Sequence, residues 1–178
     1  MSTKSNNVAN NNFQDTVGTG AFGRDQILRS IVLAGIFISV VHLIIQSWFI
    51  NTVLKENPFV VVLQYIASGI KGLSAFQGGN SDALLGVLIH VVISFVVAAV
   101  FILLADRIPF LRRYAIPAAL LYGFGVWFVM QQIIVPLSAT PPIPAPTTPY
   151  LIEEIVEHIL VVGLPLGILV QRNSNTKN

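Results

Sequence analysis

The chain has 178 residues, of which 54% are hydrophobic and only 10% are charged, whereas a typical soluble domain has about 25% charged residues. The length suits one domain, and this apolar excess is too large for a soluble protein of that size to bury. A net charge of +2 without a basic block argues against nucleic acid as a partner, and the lack of cysteine excludes disulfides and zinc–thiolate sites.

The N-terminal residues 1–24 are rich in Asn, Ser, Thr and Gly and have almost no apolar content. Such a segment cannot bury enough surface to offset the entropy of ordering, so we expect a disordered polar tail. Between Ser30 and Leu54 there is no Asp, Glu, Lys or Arg. About 20 apolar residues cross a hydrocarbon core of about 30 Å, which predicts a first membrane span at residues 27–50. This run is too long for a signal peptide, and we expect an uncleaved anchor.

A shorter apolar run follows at residues 58–71. Asn57 and Pro58 are typical of a helix start, and Lys71 with Gly72 suggests its end. At about 14 residues the run is too short to span a membrane, so it predicts a short interfacial or re-entrant helix.

Three further spans are predicted in the remainder of the chain, which together with the first define a transmembrane domain over residues 25–172. They lie at residues 83–105, 114–135 and 151–170. A charge-free, proline-rich connector at 138–149 separates the last two and should be extended. Residues 173–178 form a short polar tail. The fold class expected is therefore all-α, an integral membrane four-helix bundle with one additional short helix.

The distribution of Lys and Arg predicts the orientation of the spans. Eight of these residues fall on the side of both termini, namely Lys4, Arg24, Arg29, Arg107, Arg112, Arg113, Arg172 and Lys177. The other side has only Lys55 and Lys71. The positive-inside rule then places both termini in the cytoplasm.

The three histidines of the chain share one predicted depth. Each lies eight residues inward from a residue at the outer end of a different span, which is about 12 Å along a helix: His42 from Ile50, His90 from Asp82 and His158 from Tyr150. Polar residues stand near them at the same level, namely Gln46, Ser94, Gln131, Gln132, Glu154 and Glu157. We therefore predict a polar layer in the outer half of the bundle.

Several kinds of chemistry fit that layer. Ionisable groups inside a membrane are functional candidates by default, and histidine titrates near neutral pH, so His42, His90, His158, Glu154, Glu157 and Gln131 could together handle protons or cations. His90, His158 and Glu154 are also candidate ligands of a divalent metal, and a pair of histidines could hold haem. Alternatively, the layer only supplies hydrogen bonds between helices. The sequence contains no nucleotide-binding, hydrolase or zinc-protease motif.

The middle and end of the chain carry a distinctive set of segments. They include LQYIASGIKGLSAFQGG, ALLGVLIHVVISFVVAAV, LLYGFGVWFVMQQIIVPLSA and EHILVVGLPLG. Over about residues 60–170 the chain resembles the YagU-like family of small four-span bacterial membrane proteins. The resemblance implies a bacterial inner-membrane protein of unassigned activity, with His90 and His158 at positions similar to the family's histidines. His42 lies outside the similar region.

Three functions remain open from the sequence. The first is a non-enzymatic multi-pass membrane protein that handles protons or cations through the polar layer. The second is a metal- or haem-binding membrane redox component. The third is an accessory subunit whose polar layer is structural. The lipid bilayer is the one partner predicted, association of several copies fits all three functions, and no catalytic residue is predicted.

Overall fold

The computed structural model describes residues 21–55, 59–142 and 147–175, and this part of the chain is helical without any strand. The all-α prediction is therefore confirmed for the described residues. Most of the predicted N-terminal tail, the start of the predicted short helix at Pro58, part of the proline-rich connector and the last residues of the C-terminal tail lie outside them.

Six helices, labelled α1 to α6, make up the described chain, and several of them change pitch along their length. They are α1 (Arg24–Phe49, continuing as a π-helical turn Ile50–Leu54), α2 (Phe59–Lys71, continuing as a 3₁₀ turn Gly72–Phe76), α3 (Gly79–Arg107), α4 (Pro109–Arg113), α5 (Ala115–Val129, then a π turn Met130–Ile134 and Val135–Leu137) and α6 (Thr148–Glu157, then a π turn His158–Gly163 and Leu164–Asn175).

Four stretches of helix are long and apolar enough to cross a membrane. They are Arg24–Thr52, Phe59–Phe76, Gly79–Arg107 and Ala115–Leu137, and the third has a mean hydropathy of 3.1 over its best 18 residues. Along α3 the large side chains at every fourth position are more than half exposed, namely Leu84, Leu88, Val92 and Val96. Such a continuous apolar stripe is unfavourable in water and suits contact with lipid tails.

Three of the four predicted spans, at 27–50, 83–105 and 114–135, coincide with these stretches, and two details differ from prediction. The helix predicted at 58–71 does not end at Lys71, because Gly72 adopts a positive φ of 61° and the chain continues as a 3₁₀ turn to Phe76. This makes it 18 residues long and, by length and composition, long enough to cross a membrane, so the prediction that it is too short to span was wrong. The predicted span 151–170 lies inside α6, but α6 is not among the four stretches. Three glutamates interrupt its first turns.

Helix α2 packs against the first turns of α3. The backbone at Leu63 packs against Gly86 of α3, where an added Cβ would lie only 2.7 Å from the Leu63 carbonyl carbon. Eight residues further on, Lys71 Nζ lies 2.5 Å from Asp82 Oδ1. These two contacts hold both halves of α2 against α3.

The same end of the bundle receives the residues that follow α5. The Ala139 N–H donates to the carbonyl of Gly69, at 3.0 Å, and so ties the start of the connector to α2. Helix α2 therefore covers the ends of both α3 and α5, near the start of α6.

The apolar core occupies the opposite half of the bundle, where α1, α3, α5 and α6 meet. Its fully buried members include Ala98, Phe101, Ile102, Leu166 and Val170. Small residues let the backbones approach closely here. The histidines of α1, α3 and α6 lie in the other half of the bundle, on the side of α2.

Candidate polar site

Four helices contribute polar side chains to one cluster beneath α2. Helix α1 supplies His42 and Gln46, α3 supplies His90, α5 supplies Trp127 and Gln131, and α6 supplies Tyr150, Glu153, Glu154, Glu157 and His158. The structure thus brings together residues that the sequence analysis placed in a common layer on separate helices.

The three histidine rings contact one another, with His42 in the centre. Its ring centroid lies 5.1 Å from that of His90 at an interplanar angle of 34°, and 5.0 Å from that of His158 in an edge-to-face arrangement of 86°. The Nδ1 atom of His158 lies 2.7 Å from the carbonyl oxygen of Glu154. A carbonyl can only accept, so this nitrogen carries a proton and Nε2 is left to act as an acceptor when the ring is neutral.

Glu154 is held by hydrogen bonds from α5. Gln131 Nε2 donates to both of its carboxylate oxygens, at 3.0 and 3.2 Å, and the indole N–H of Trp127 donates to Oε2 at 3.4 Å. Trp127 and Gln131 are four residues apart and therefore face the same way. This carboxylate is buried and fully engaged, which makes it a fixed bridge between α5 and α6.

A second bridge joins α6 to α1. The side-chain amide of Gln46 donates to the hydroxyl of Tyr150 at 3.0 Å, and Gln46 is buried. Together with the Glu154 contacts, this bond fixes the first turns of α6 on both sides. The histidines on α1 and α6 are thereby held in register.

Glu157 differs from Glu154 in having no such partners. Its side chain is only 2% exposed, and its Oε2 lies 3.8 Å from Nε2 of His42. Among the described residues, no donor group reaches its oxygens or those of Glu153, one turn earlier on the same face, and His42 Nδ1 and His90 Nε2 also lack a partner. The two carboxyl groups hydrogen-bond each other, which requires that one of them holds a proton. A buried ionised carboxylate without hydrogen bonds is costly, so these groups need a proton or a cation.

Wide π-helical turns occur beside the cluster in three of the helices. One follows Gln46 at Ile50–Leu54, one contains Gln131 at Met130–Ile134, and one begins directly after Glu157 at His158–Gly163. Single π turns are rare and often mark functional sites. Here they change the direction in which the following side chains point. The sequence patterns did not predict these turns.

Glycines set the distance between α5 and α6 at this level. A Cβ at Gly123 would lie 3.1 Å from the carbonyl carbon of His158 and closer still to its oxygen, and one at Gly163 would lie 2.9 Å from Leu120 Cα. Only residues without a side chain allow this approach. It brings Trp127 and Gln131 within reach of Glu154.

Two of the predicted polar companions have other roles. Gln132 is exposed and points away from the cluster, whereas Gln131 is half-buried within it. The Ser94 hydroxyl donates to the carbonyl of His90 at 2.8 Å, so it bonds its own helix backbone. Trp127 is not among the residues predicted for the site from the sequence, yet its N–H donates to Glu154. Its spacing from Gln131 is the signal that could have indicated this.

The arrangement does not resemble a preformed metal site. Within the described ranges, no three His, Asp or Glu side chains are placed so that they could hold a metal ion. Of the predicted candidates, Glu154 is engaged by α5 and the rings of His90 and His158 pack against His42. The metal alternative therefore gains no support from the geometry.

The fold and the site define a class of protein: an all-helical chain with four membrane-length helices and a buried histidine–glutamate cluster near one end. No family model matches the chain, and neither a curated protein nor a solved structure matches it. The resemblance to YagU-like proteins thus stays a prediction.

Proposed function

We propose that this chain is an integral membrane protein that binds protons reversibly at the cluster formed by Glu153, Glu157, His42, His90 and His158. The observation that carries the proposal is Glu157, a carboxyl group almost completely buried beside an imidazole, whose hydrogen bond with the carboxyl group of Glu153 requires a proton on one of the two. Such a group is stable when it holds a proton and becomes costly when it loses one. The neighbouring imidazole of His42 has a nitrogen that can accept or return that proton.

A path for the proton is suggested by the contacts. Glu153 is half-buried and its carboxyl oxygens are buried. Glu157 lies one turn further along α6, and His42 lies beyond it in contact with His90 and His158. Each step joins neighbouring titratable groups. Beyond them the buried core consists mainly of apolar side chains such as Phe101, Ile102 and Leu166. Because this core separates the cluster from the other end of the bundle, the arrangement suits reversible proton binding more than an open proton channel.

The membrane setting and orientation are part of this proposal. The positive-inside distribution favours both termini in the cytoplasm and the cluster near the outer face of a bacterial inner membrane. Termini on the same side require an even number of spans, so with α1, α3, α5 and α6 crossing the membrane, α2 is an interfacial helix in this proposal, although it is long and apolar enough to cross. The chain has no cysteine, so single cysteines at Ser81 and Gln171 can be labelled from either side of intact cells. We expect Ser81→Cys to react from outside and Gln171→Cys only after permeabilisation.

The fluorescence of Trp127 can report proton uptake at the cluster. Trp127 is 8% exposed and bonds Glu154 within the site, whereas Trp48 is 60% exposed. In a Trp48→Phe background, the emission of the remaining indole reports on the cluster. We expect it to change with pH over the range in which histidine and buried carboxyl groups titrate.

Two variants test which groups take up the proton. Glu157→Gln removes the titratable carboxyl group while keeping its shape, and we expect it to shift or abolish the emission change. Asp25→Asn makes the same chemical change at an exposed position in the first turn of α1, at the opposite end, and should leave the curve unaltered. Identical curves for the two variants would contradict the proposal and favour purely structural hydrogen bonding.

A cation is the second candidate occupant. Glu153 and Glu157 together present four carboxylate oxygens that no donor group of the described residues reaches, and oxygen ligands suit hard cations. Titration of the same Trp48→Phe protein with Na⁺ or K⁺ at fixed pH distinguishes the two. If a cation is the occupant, its addition changes the emission and lowers the pH at which protons bind.

A further inference from the structure

A cavity that two arginines line lies at the opposite end of the bundle from the histidine cluster. It has a volume of about 290 Å³ and is lined by Ala21, Phe22, Arg112, Arg113, Asn173 and Ser174. Three separate parts of the chain meet there: the residues before α1, the short helix α4 and the end of α6. The cavity is slightly smaller than the pockets of about 300–1,000 Å³ that hold whole small molecules, so it suits a single compact group.

Arg112 is fixed in this cavity by the end of α3. Its Nη1 donates to the carbonyls of Ala105 and Asp106, at 2.8 and 2.9 Å. These carbonyls lie in the last turn of α3 and have no hydrogen-bond partner further along that helix. The guanidinium carries five N–H donors, and these two bonds use only one nitrogen. The remaining edge is available to a ligand.

The nearest carboxylate is already compensated. Asp106 is buried, its Oδ1 accepts from the N–H of Phe22 at 2.7 Å, and its Oδ2 lies 3.2 Å from Nε of Arg107. No acidic residue lines the cavity. The cavity therefore has an excess of positive charge, which favours an anion.

The other polar groups of the wall are also held in place. Asn173 donates to the hydroxyl of Ser30 at 2.9 Å, and the Ser174 hydroxyl donates to the carbonyl of Val170 at 2.9 Å. The guanidinium of Arg113 lies 5.5 Å from the centre of the Tyr114 ring and is exposed. A wall of this kind needs little rearrangement to bind an anion.

We propose that this cavity binds a phosphate group, either the phosphodiester of an anionic lipid or free phosphate. The planar fork of arginine matches phosphate oxygens, which can each accept charge-assisted hydrogen bonds. The exposed aromatic rings of Phe110 and Tyr114 flank the arginines, and aromatic residues are typical of the level of lipid headgroups. Basic pockets between spanning helices at the cytoplasmic side are suited to such headgroups. This proposal is independent of proton binding at the other end.

Lipid retention on the purified full chain tests the proposal. The protein is reconstituted with equal amounts of phosphatidylglycerol and phosphatidylcholine, extracted in mild detergent, and the retained lipids are counted by native mass spectrometry. We expect phosphatidylglycerol to be retained preferentially by the parent chain. Arg113→Gln should weaken this retention by roughly tenfold, as expected when one charge-assisted partner is lost.

The control is Arg24→Gln, the same change at an exposed arginine in the first turn of α1 at the same end. It should leave retention unchanged, whereas an equal loss in both variants would show attraction by general charge and overturn the proposal. Inorganic phosphate distinguishes the two sources, because displacement of the lipid by phosphate at low concentration favours the free anion. If neither phosphatidylglycerol nor phosphate binds to parent protein of normal helical content, the proposal is wrong.

Discussion

The close approach of α5 to α6 at Gly123 gives a sharp test of how the cluster is assembled. In Gly123→Ala, the added Cβ would lie 3.0 Å from the Gly163 nitrogen and 3.1 Å from the His158 carbonyl carbon, with the carbonyl oxygen nearer still. Ordinary contacts between carbon and a carbonyl oxygen are about 3.3–3.6 Å. The two helices must therefore separate, by roughly 1 Å at this level.

The expected cost follows from overpacking, which is typically about 1–3 kcal/mol. Replacing glycine by alanine inside a helix also gains about 1 kcal/mol of helix propensity, so the variant alone underestimates the clash. Gly125→Ala provides the matched control, because a Cβ there meets nothing within 4 Å. The difference between the two variants should equal the overpacking cost of about 1–3 kcal/mol, with Gly125→Ala at least as stable as the parent.

The measurement is the unfolding of detergent-solubilised protein, followed by the emission of Trp127 in the Trp48→Phe background. Separation of α5 from α6 also lengthens the bond from the indole to Glu154, so the folded-state emission of Gly123→Ala should differ from that of Gly125→Ala. Equal stability and equal emission in the two variants would refute this account of the helix contact.

Two further predictions concern ionic contacts at the two ends of the bundle. Lys71→Ala leaves the buried carboxylate of Asp82 without its ion-pair partner. We expect it to lower the free energy of unfolding by about 1–3 kcal/mol and to increase hydrogen exchange in α2. Lys55→Ala, the same change at an exposed position, should have neither effect. Exchange in α2 that stays at the parent level would show that this pair does not hold the helix. Asp106→Asn removes the charge that the Phe22 N–H binds and should lower the unfolding free energy by about 1 kcal/mol; an unchanged value would contradict this role.

Much of the fold could be predicted because the signals are local. Long charge-free runs predicted three helices that the structure has at the expected positions. Equal spacing of His42, His90 and His158 from the ends of their helices predicted a common level, and their rings do meet. A regular rise per residue converts sequence position into depth, so this prediction needed no knowledge of neighbours.

The different contacts of the two glutamates could not be predicted from the sequence. Glu154 and Glu157 are three residues apart and look equivalent in sequence. Glu154 accepts hydrogen bonds from Trp127 and Gln131, whereas Glu157 accepts none from another helix and lies beside His42. Their difference depends on which helix each one faces. That in turn depends on π turns and on helix contacts, which are properties of the packed bundle.

The path of α2 is a similar case. Its apolar run indicated a helix, but its end at Phe76 and its packing against α3 depend on Gly72 and on the contact with Gly86. By itself the sequence determined that the chain is helical, apolar enough for a membrane and polar at one level, because composition and periodicity act residue by residue. Only the tertiary structure decided which polar groups satisfy one another and which remain to bind a proton or an anion, because hydrogen bonds between helices require partners that are distant in the chain.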